Sequence, residues 1–122
     1  MIRYSRDKID SFRKVKVMYG RFTEKAQHVI YYAQEEARAM NYPAVGTEHL
    51  LLGILREGES VAARALIGLG VDLQKTREIV LKMLSPGNTP VGNEIAITPR
   101  VKKVLALAQD EAVRWGVNYI GT

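Results

Sequence analysis

At 122 residues the chain fits one domain, and 47% hydrophobic residues suffice for a small core. Cysteine is absent, which excludes a disulfide framework and thiolate chemistry and fits a reducing, cytoplasmic compartment; no apolar run approaches the roughly 20 residues of a membrane helix, and no signal peptide is visible. The net charge of +5 hints at polyanion binding, but most of it lies before Met18, where Arg3, Arg6, Lys8, Arg13, Lys14 and Lys16 face only Asp7 and Asp10.

Residues 1–17 therefore read as a basic, disordered leader, and nucleic-acid binding through it as a weak alternative. Thr23 then caps a first helix, along which Ala26, Val29, Ile30, Ala33, Ala37 and Met40 form one stripe at three- and four-residue steps. Asn41-Tyr42-Pro43 breaks it. Thr47 caps a second helix over 48–56, Ser60 a third that Gly70 stops, and Asp72 a fourth reaching about Leu84. The fourth carries Leu73, Thr76, Ile79, Val80, Met83 and Leu84. A Pro-, Gly- and Asn-rich linker spans 85–97. Thr98-Pro99 opens a fifth helix, with Val101, Val104, Leu105, Ala108, Ala112 and Trp115 as its stripe and Gly116 as its stop. No segment shows the two-residue alternation of a solvent-facing strand, so the fold class is all-α.

The fifth helix repeats the first. Residues 23–47 return without a gap as 98–122, at a constant offset of roughly 75 residues, as a repeat architecture requires. Thr23, Val29, Ala33, Gln34, Glu36, Ala37, Gly46 and Thr47 meet Thr98, Val104, Ala108, Gln109, Glu111, Ala112, Gly121 and Thr122. Val45 meets Ile120, a conservative exchange. The division is one four-helix repeat over 18–84 and the truncated start of a second over 98–122. The apolar face of the fifth helix then has no partner helices of its own. It must dock on the first copy or drive self-association, because each large apolar side chain left in water forfeits about 1.5–3 kcal/mol.

The chemistry of an enzyme is missing. There is no phosphate-binding G-x-x-x-x-G-K-[ST] loop, no H-E-x-x-H and no acidic metal cluster. His28 falls on the polar side of its helix, toward solvent, and His49 follows a cap and either bonds locally or packs. Glu35-Glu36 and Asp110-Glu111 read as solvated helix faces, since adjacent helical residues point apart. What remains is a set of helix starts at Thr23, Thr47, Thr98 and Thr122. A helix start offers unpaired N–H groups and partial positive charge to an anion. Glu48 beside Thr47 could grip a guanidinium. If the first and second helix starts lie side by side, they suit a ligand with phosphate at one end and guanidinium at the other.

The runs Arg21-Phe22-Thr23-Glu24-Lys25-Ala26-Gln27, Ala33-Gln34-Glu35-Glu36-Ala37-Arg38, Gly46-Thr47-Glu48-His49-Leu50-Leu51-Leu52-Gly53, Arg56-Glu57-Gly58 and Val61-Ala62-Ala63-Arg64-Ala65-Leu66 together resemble the N-terminal domain of the ClpC family of Hsp100/AAA+ unfoldases. Ile97-Thr98-Pro99-Arg100-Val101-Lys102-Lys103-Val104-Leu105 resembles the start of that domain's second repeat. The resemblance covers about 18–122. It implies two four-helix repeats that dock substrate and adaptor proteins, with ATP used only by AAA+ modules outside this chain. It also implies recognition of phosphoarginine-tagged proteins. Thr23, Thr47 and Glu48 match the family's first pocket, and Thr98 and Thr122 match threonines of the second, whose glutamate would be the next residue.

Overall fold

The computed structural model describes residues 6–85, 87 and 96–122, with residues 6–8 described through their backbone alone. Among these residues six helices follow in order: α1 (Arg6–Met18), α2 (Glu24–Ala39), α3 (Thr47–Glu57), α4 (Val61–Gly68), α5 (Leu73–Met83) and α6 (Pro99–Arg114). Two short strands, β1 (Ala44–Val45) and β2 (Ala96–Ile97), interrupt them. The fold is all-α as expected, with strands of only two residues each that no periodicity could announce.

The leader is the first correction. Residues 6–18 form α1 rather than a disordered tail. Phe12, Val15 and Tyr19 recur at helical spacing among the charges and give the segment an apolar side. Val15 is 1% exposed and clusters with Ile30 and Tyr31 of α2, with Phe12, Tyr19 and Phe22 packed around them. The run of cations disguised this stripe. Residues 1–5 lie outside the described set.

α2 is the central helix, and all six residues of its predicted stripe are buried. Thr23 Oγ1 accepts the Ala26 N–H at 3.2 Å to start it. Its end is set by Asn41, whose φ of 56° is left-handed. The Tyr42 and Asn41 N–H groups then return to the Ala37 and Arg38 carbonyls at 2.9 and 3.0 Å, which satisfies two otherwise orphaned acceptors. Asn41, rather than Pro43, stops the helix, because a short polar side chain tolerates this conformation.

α3 lies against α2 with Gly53 at the crossing. A Cβ there would run into the Val29 carbonyl and sit 3.3 Å from Ala33 Cβ. Leu50 packs on the Ala33, Ala37 and Val45 cluster, and Met40, Leu52 and Val80 join α2, α3 and α5 with Leu73 and Leu84 around them. Beside this core Glu36 is 6% exposed, pairing with Arg77 at 2.8 Å and Arg56 at 3.4 Å, while Glu35 pairs with Arg56 at 2.8 Å. The expected solvated Glu35-Glu36 face is thus an ion network instead, because α3 and α5 bring arginines over it. Asp110 and Glu111 are exposed as read.

Most of the linker, residue 86 and residues 88–95, lies outside the described residues. Gly87 is pinned to the end of α2: its N–H reaches the Met40 carbonyl at 3.0 Å, and Asn41 Nδ2 reaches its carbonyl at 3.2 Å.

The second copy docks on the first. β1 and β2 pair in parallel, Ala44 with Ala96 and Val45 with Ile97. An isolated parallel bridge joins Phe22 to Ile120. Val101 is buried and Leu105 packs on the α1–α2 cluster. Ala108 and Ala112 are half-buried, while Val104 is 40% and Trp115 78% exposed. Docking therefore accounts for only part of the stripe.

Candidate functional site

Thr23 and Thr98 are built alike. Thr98 Oγ1 accepts the Val101 N–H at 3.2 Å, as Thr23 does for Ala26. Each cap also donates its own N–H to the other copy: Thr98 to the Val45 carbonyl at 3.0 Å, Thr23 to the Ile120 carbonyl at 2.9 Å. These two bonds fix which helix tips meet.

The predicted pairing of the Thr23 tip with the Thr47–Glu48 tip is not what the chain builds. Leu50, one turn into α3, seats on Ala33 and Ala37. The start of α3 therefore meets α2 roughly 15 Å along its axis from Thr23, at 1.5 Å per residue. The register Val45–Ile97 instead sets the two following residues, Gly46 and Thr98, beside each other. At the interstrand spacing of about 4.8 Å, the starts of α3 and α6 are neighbours. In the same way the Phe22–Ile120 bridge sets Thr23 beside Gly121 and Thr122. Thr47 and Glu48 thus share a surface with Thr98, and Thr23 shares one with Thr122. Thr122 is exposed and caps no described helix.

The α3 tip differs from the threonine caps. Gly46, not Thr47, is its cap, and Thr47 is the first helical residue. The Gly46 N–H donates to His49 Nδ1 at 2.9 Å, and the His49 N–H returns to the Gly46 carbonyl at 3.1 Å. His49 is 1% exposed, and burial pushes its imidazole below the usual range against the smaller opposing pull of Glu48 and Glu36. The accepting Nδ1 leaves the proton on Nε2, which is buried without a hydrogen-bond partner. His49 therefore bonds locally, as its place after the cap suggests. Glu48 folds its carboxylate back over Gly46, so that a Cβ on residue 46 would lie 2.5 Å from Oε2. Glu48 and Thr47 are both half-buried and within reach of solvent.

His28 is the remaining correction. It is half-buried, with its ring stacked on Phe12 (centroids 5.2 Å apart) and on Tyr32 (6.1 Å). The side of α2 that looked polar is covered by α1. No group of three or more metal-ligating side chains occurs among the described residues. No helix among them is long and apolar enough to cross a membrane.

With this geometry in hand, similarity to known proteins is specific. A family profile described as "Clp repeat (R) N-terminal domain" matches residues 21–122. The chain is 49% identical over 106 residues to the chaperone protein ClpB of Oceanobacillus iheyensis, covering 87% of this chain and 13% of the relative. It is 46% identical, with the same coverage, to the negative regulator of genetic competence ClpC/MecB of Bacillus subtilis. It is 48% identical over 108 residues to the chloroplastic chaperone protein ClpC1 of Arabidopsis thaliana, covering 88% of this chain and 12% of that one. The chain thus spans only about an eighth of these relatives' length. Among solved structures, the N-terminal domain of the chaperone ClpD from Arabidopsis thaliana superposes with a TM-score of 0.72 at 26% identity, over 84% of this chain and 71% of that one.

Proposed function

This chain belongs to the Clp repeat N-terminal domain family, and on that premise we propose that it is a non-catalytic docking module for the substrate and adaptor proteins of a ClpC-type unfoldase. Residues 18–84 act as its first repeat and 98–122 as the opening of its second. ATP hydrolysis belongs to AAA+ modules outside these residues. The ligand class we assign is an arginine-phosphorylated segment of a substrate protein.

The observation that carries this reading is the adjacency of the α3 and α6 starts. The first N–H groups of a helix lack intrahelical partners, and two such tips together concentrate donors and dipole charge on one anion. Pro99 removes one donor from α6, while Arg100 adds a cation at the same tip. Glu48 supplies the carboxylate for the guanidinium end, an ion pair with fork geometry. The site is composite: Thr47 and Glu48 come from the first copy, Thr98 from the second. Thr23 and Thr122 form the corresponding edge of the second site.

Calorimetry with a phosphoarginine peptide tests this. Glu48→Ala should abolish measurable binding. Thr98→Ala should weaken it and couple non-additively with Glu48→Gln, whereas Thr23→Ala should be additive with it, since contact makes substitutions interact. Equal affinity of wild type and Glu48→Ala would remove the site.

The bare face of α6 favours a second reading. Val104 and Leu107 on one side of α6, and Trp115 at its C-cap, are all at least 40% exposed, which suits self-association. Light scattering at increasing protein concentration decides it: a constant monomer mass rules this reading out.

A further inference from the structure

A hollow lies away from the helix tips, between α1, α2 and α3. It is an open groove of about 550 Å³, within the range of roughly 300–1,000 Å³ typical of ligand clefts. Its wall contains a row of stacked groups: Phe12 on His28, His28 on Tyr32, and the Arg56 guanidinium 4.5 Å from the Tyr32 centroid. Lys16 Nζ lies 5.3 Å from the Phe12 centroid at the other end. Tyr31 and Ile9 complete the apolar lining. Four of the nine residues lining this groove belong to α1, which precedes the residues matched by the family profile.

We propose that this groove is a second docking surface, for an acidic peptide segment carrying an apolar side chain. The charge on its walls supports this occupant. Arg13, Lys16 and Arg56 line it against a single carboxylate, Glu35. That carboxylate is committed to Arg56 at 2.8 Å. It also lies beside the Tyr31 hydroxyl, whose pKa is pushed up to about 12, first by burial and then by Glu35, so the phenol stays protonated. The exposed cations Arg13 and Lys16 thus face a groove whose own negative charge is already engaged. Stacking argues against single-stranded nucleic acid, which binds by laying bases on free ring faces. Here those faces are taken by His28 and by the two cations. Ring edges and Ile9, which is 42% exposed, are left to meet an aliphatic or aromatic side chain.

The test uses the intact chain and a fluorescein-labelled Asp/Glu octapeptide with two central leucines. A lysine-substituted version and an oligothymidylate of equal length serve as controls. The acidic peptide should bind and shift the NMR resonances of Phe12, His28 and Tyr32. The Arg13→Glu, Lys16→Glu double variant changes only exposed positions, so circular dichroism should be unaltered. It should weaken the peptide by about tenfold, in line with two exposed ion pairs replaced by repulsion. Phosphoarginine binding should survive in that variant, which separates this surface from the helix-tip site. Three results overturn the proposal: no resonance shift at millimolar peptide, unchanged affinity in the double variant, or tighter binding of the oligothymidylate at the same resonances.

Discussion

Gly53→Ala puts the seating of α3 on α2 to a quantitative test, and with it the position of Thr47 and Glu48. In an unconstrained helix this exchange is favourable by about 1 kcal/mol, because alanine loses less backbone freedom than glycine. At this crossing the added methyl meets the Val29 carbonyl, 3.1 Å from the Ala33 nitrogen and 3.3 Å from its Cβ. The obstacle is backbone in the middle of α2 and cannot rotate away, so the helices must separate. Overpacking of this kind costs about 1–3 kcal/mol. The contact with a carbonyl oxygen puts the variant at the upper end, and the net effect is a loss of about 1–2 kcal/mol. At an unfolding entropy of about 2.1 cal/mol/K per residue, 1 kcal/mol shifts the midpoint of a chain this size by roughly 4 °C. Scanning calorimetry should therefore find Gly53→Ala melting about 4–8 °C lower. Gly68→Ala is the internal control: it lies at the end of α4 with nothing within 4 Å of the new Cβ, and should melt at or above wild type. If Gly53→Ala matches the control, α3 does not sit on α2 as described.

Two further outcomes concern buried charge. Because burial holds the folded-state pKa of His49 below its unfolded value of about 6.5, the unfolded chain binds more protons in that range. The His49 contribution is therefore complete above pH 6.5 and is lost as pH falls through the depressed value. Protonation of Nδ1 also breaks its bond to the Gly46 N–H. Urea unfolding between pH 7.5 and 5.5 should show stability falling toward acid, and a flat profile would refute the burial of a neutral His49. Glu36→Ala strips Arg56 and Arg77 of their shared carboxylate, and with both guanidinium groups about a third exposed the loss should be about 1–3 kcal/mol, read as a lower urea midpoint; an unchanged midpoint would show the network to be idle.

Legibility from sequence followed how local each signal was. The α2 stripe was readable because six apolar residues at helical spacing all face the same core. Thr23, Ser60, Asp72 and Thr98 were readable as caps because a side-chain oxygen and an N–H three residues on are enough to make one. α1 was masked because its apolar residues are interleaved with as many cations and gain meaning only against Ile30 and Tyr31. His28 and Glu36 were misplaced for a related reason: the faces they occupy are covered by α1, α3 and α5, which come from elsewhere in the chain. The α5 and α6 stripes have the same spacing as α2 but lack its partners, so only Val80 and Val101 of them are buried.

The tip pairing could not be read for a reason that matters to function. The bonds Thr98 N–H to Val45 O and Thr23 N–H to Ile120 O are one bond written twice, since position 98 repeats 23 and position 120 repeats 45. The pairs Val45–Ile97 and Ile120–Phe22 are related in the same way. The two copies therefore meet as the subunits of a two-fold dimer do, each presenting the surface it also receives. In such an arrangement a helix tip is completed by the other copy, never by its own. A duplicated sequence shows that there are two tips of each kind, but only the seam shows which of them stand side by side. In the proposed site, the carboxylate at residue 48 acts with Thr98 only while α6 stays docked. Weakening that seam, for example by Val101→Ala, should then lower the phosphoarginine affinity measured by calorimetry although the Val101 side chain is buried, at 1% exposure.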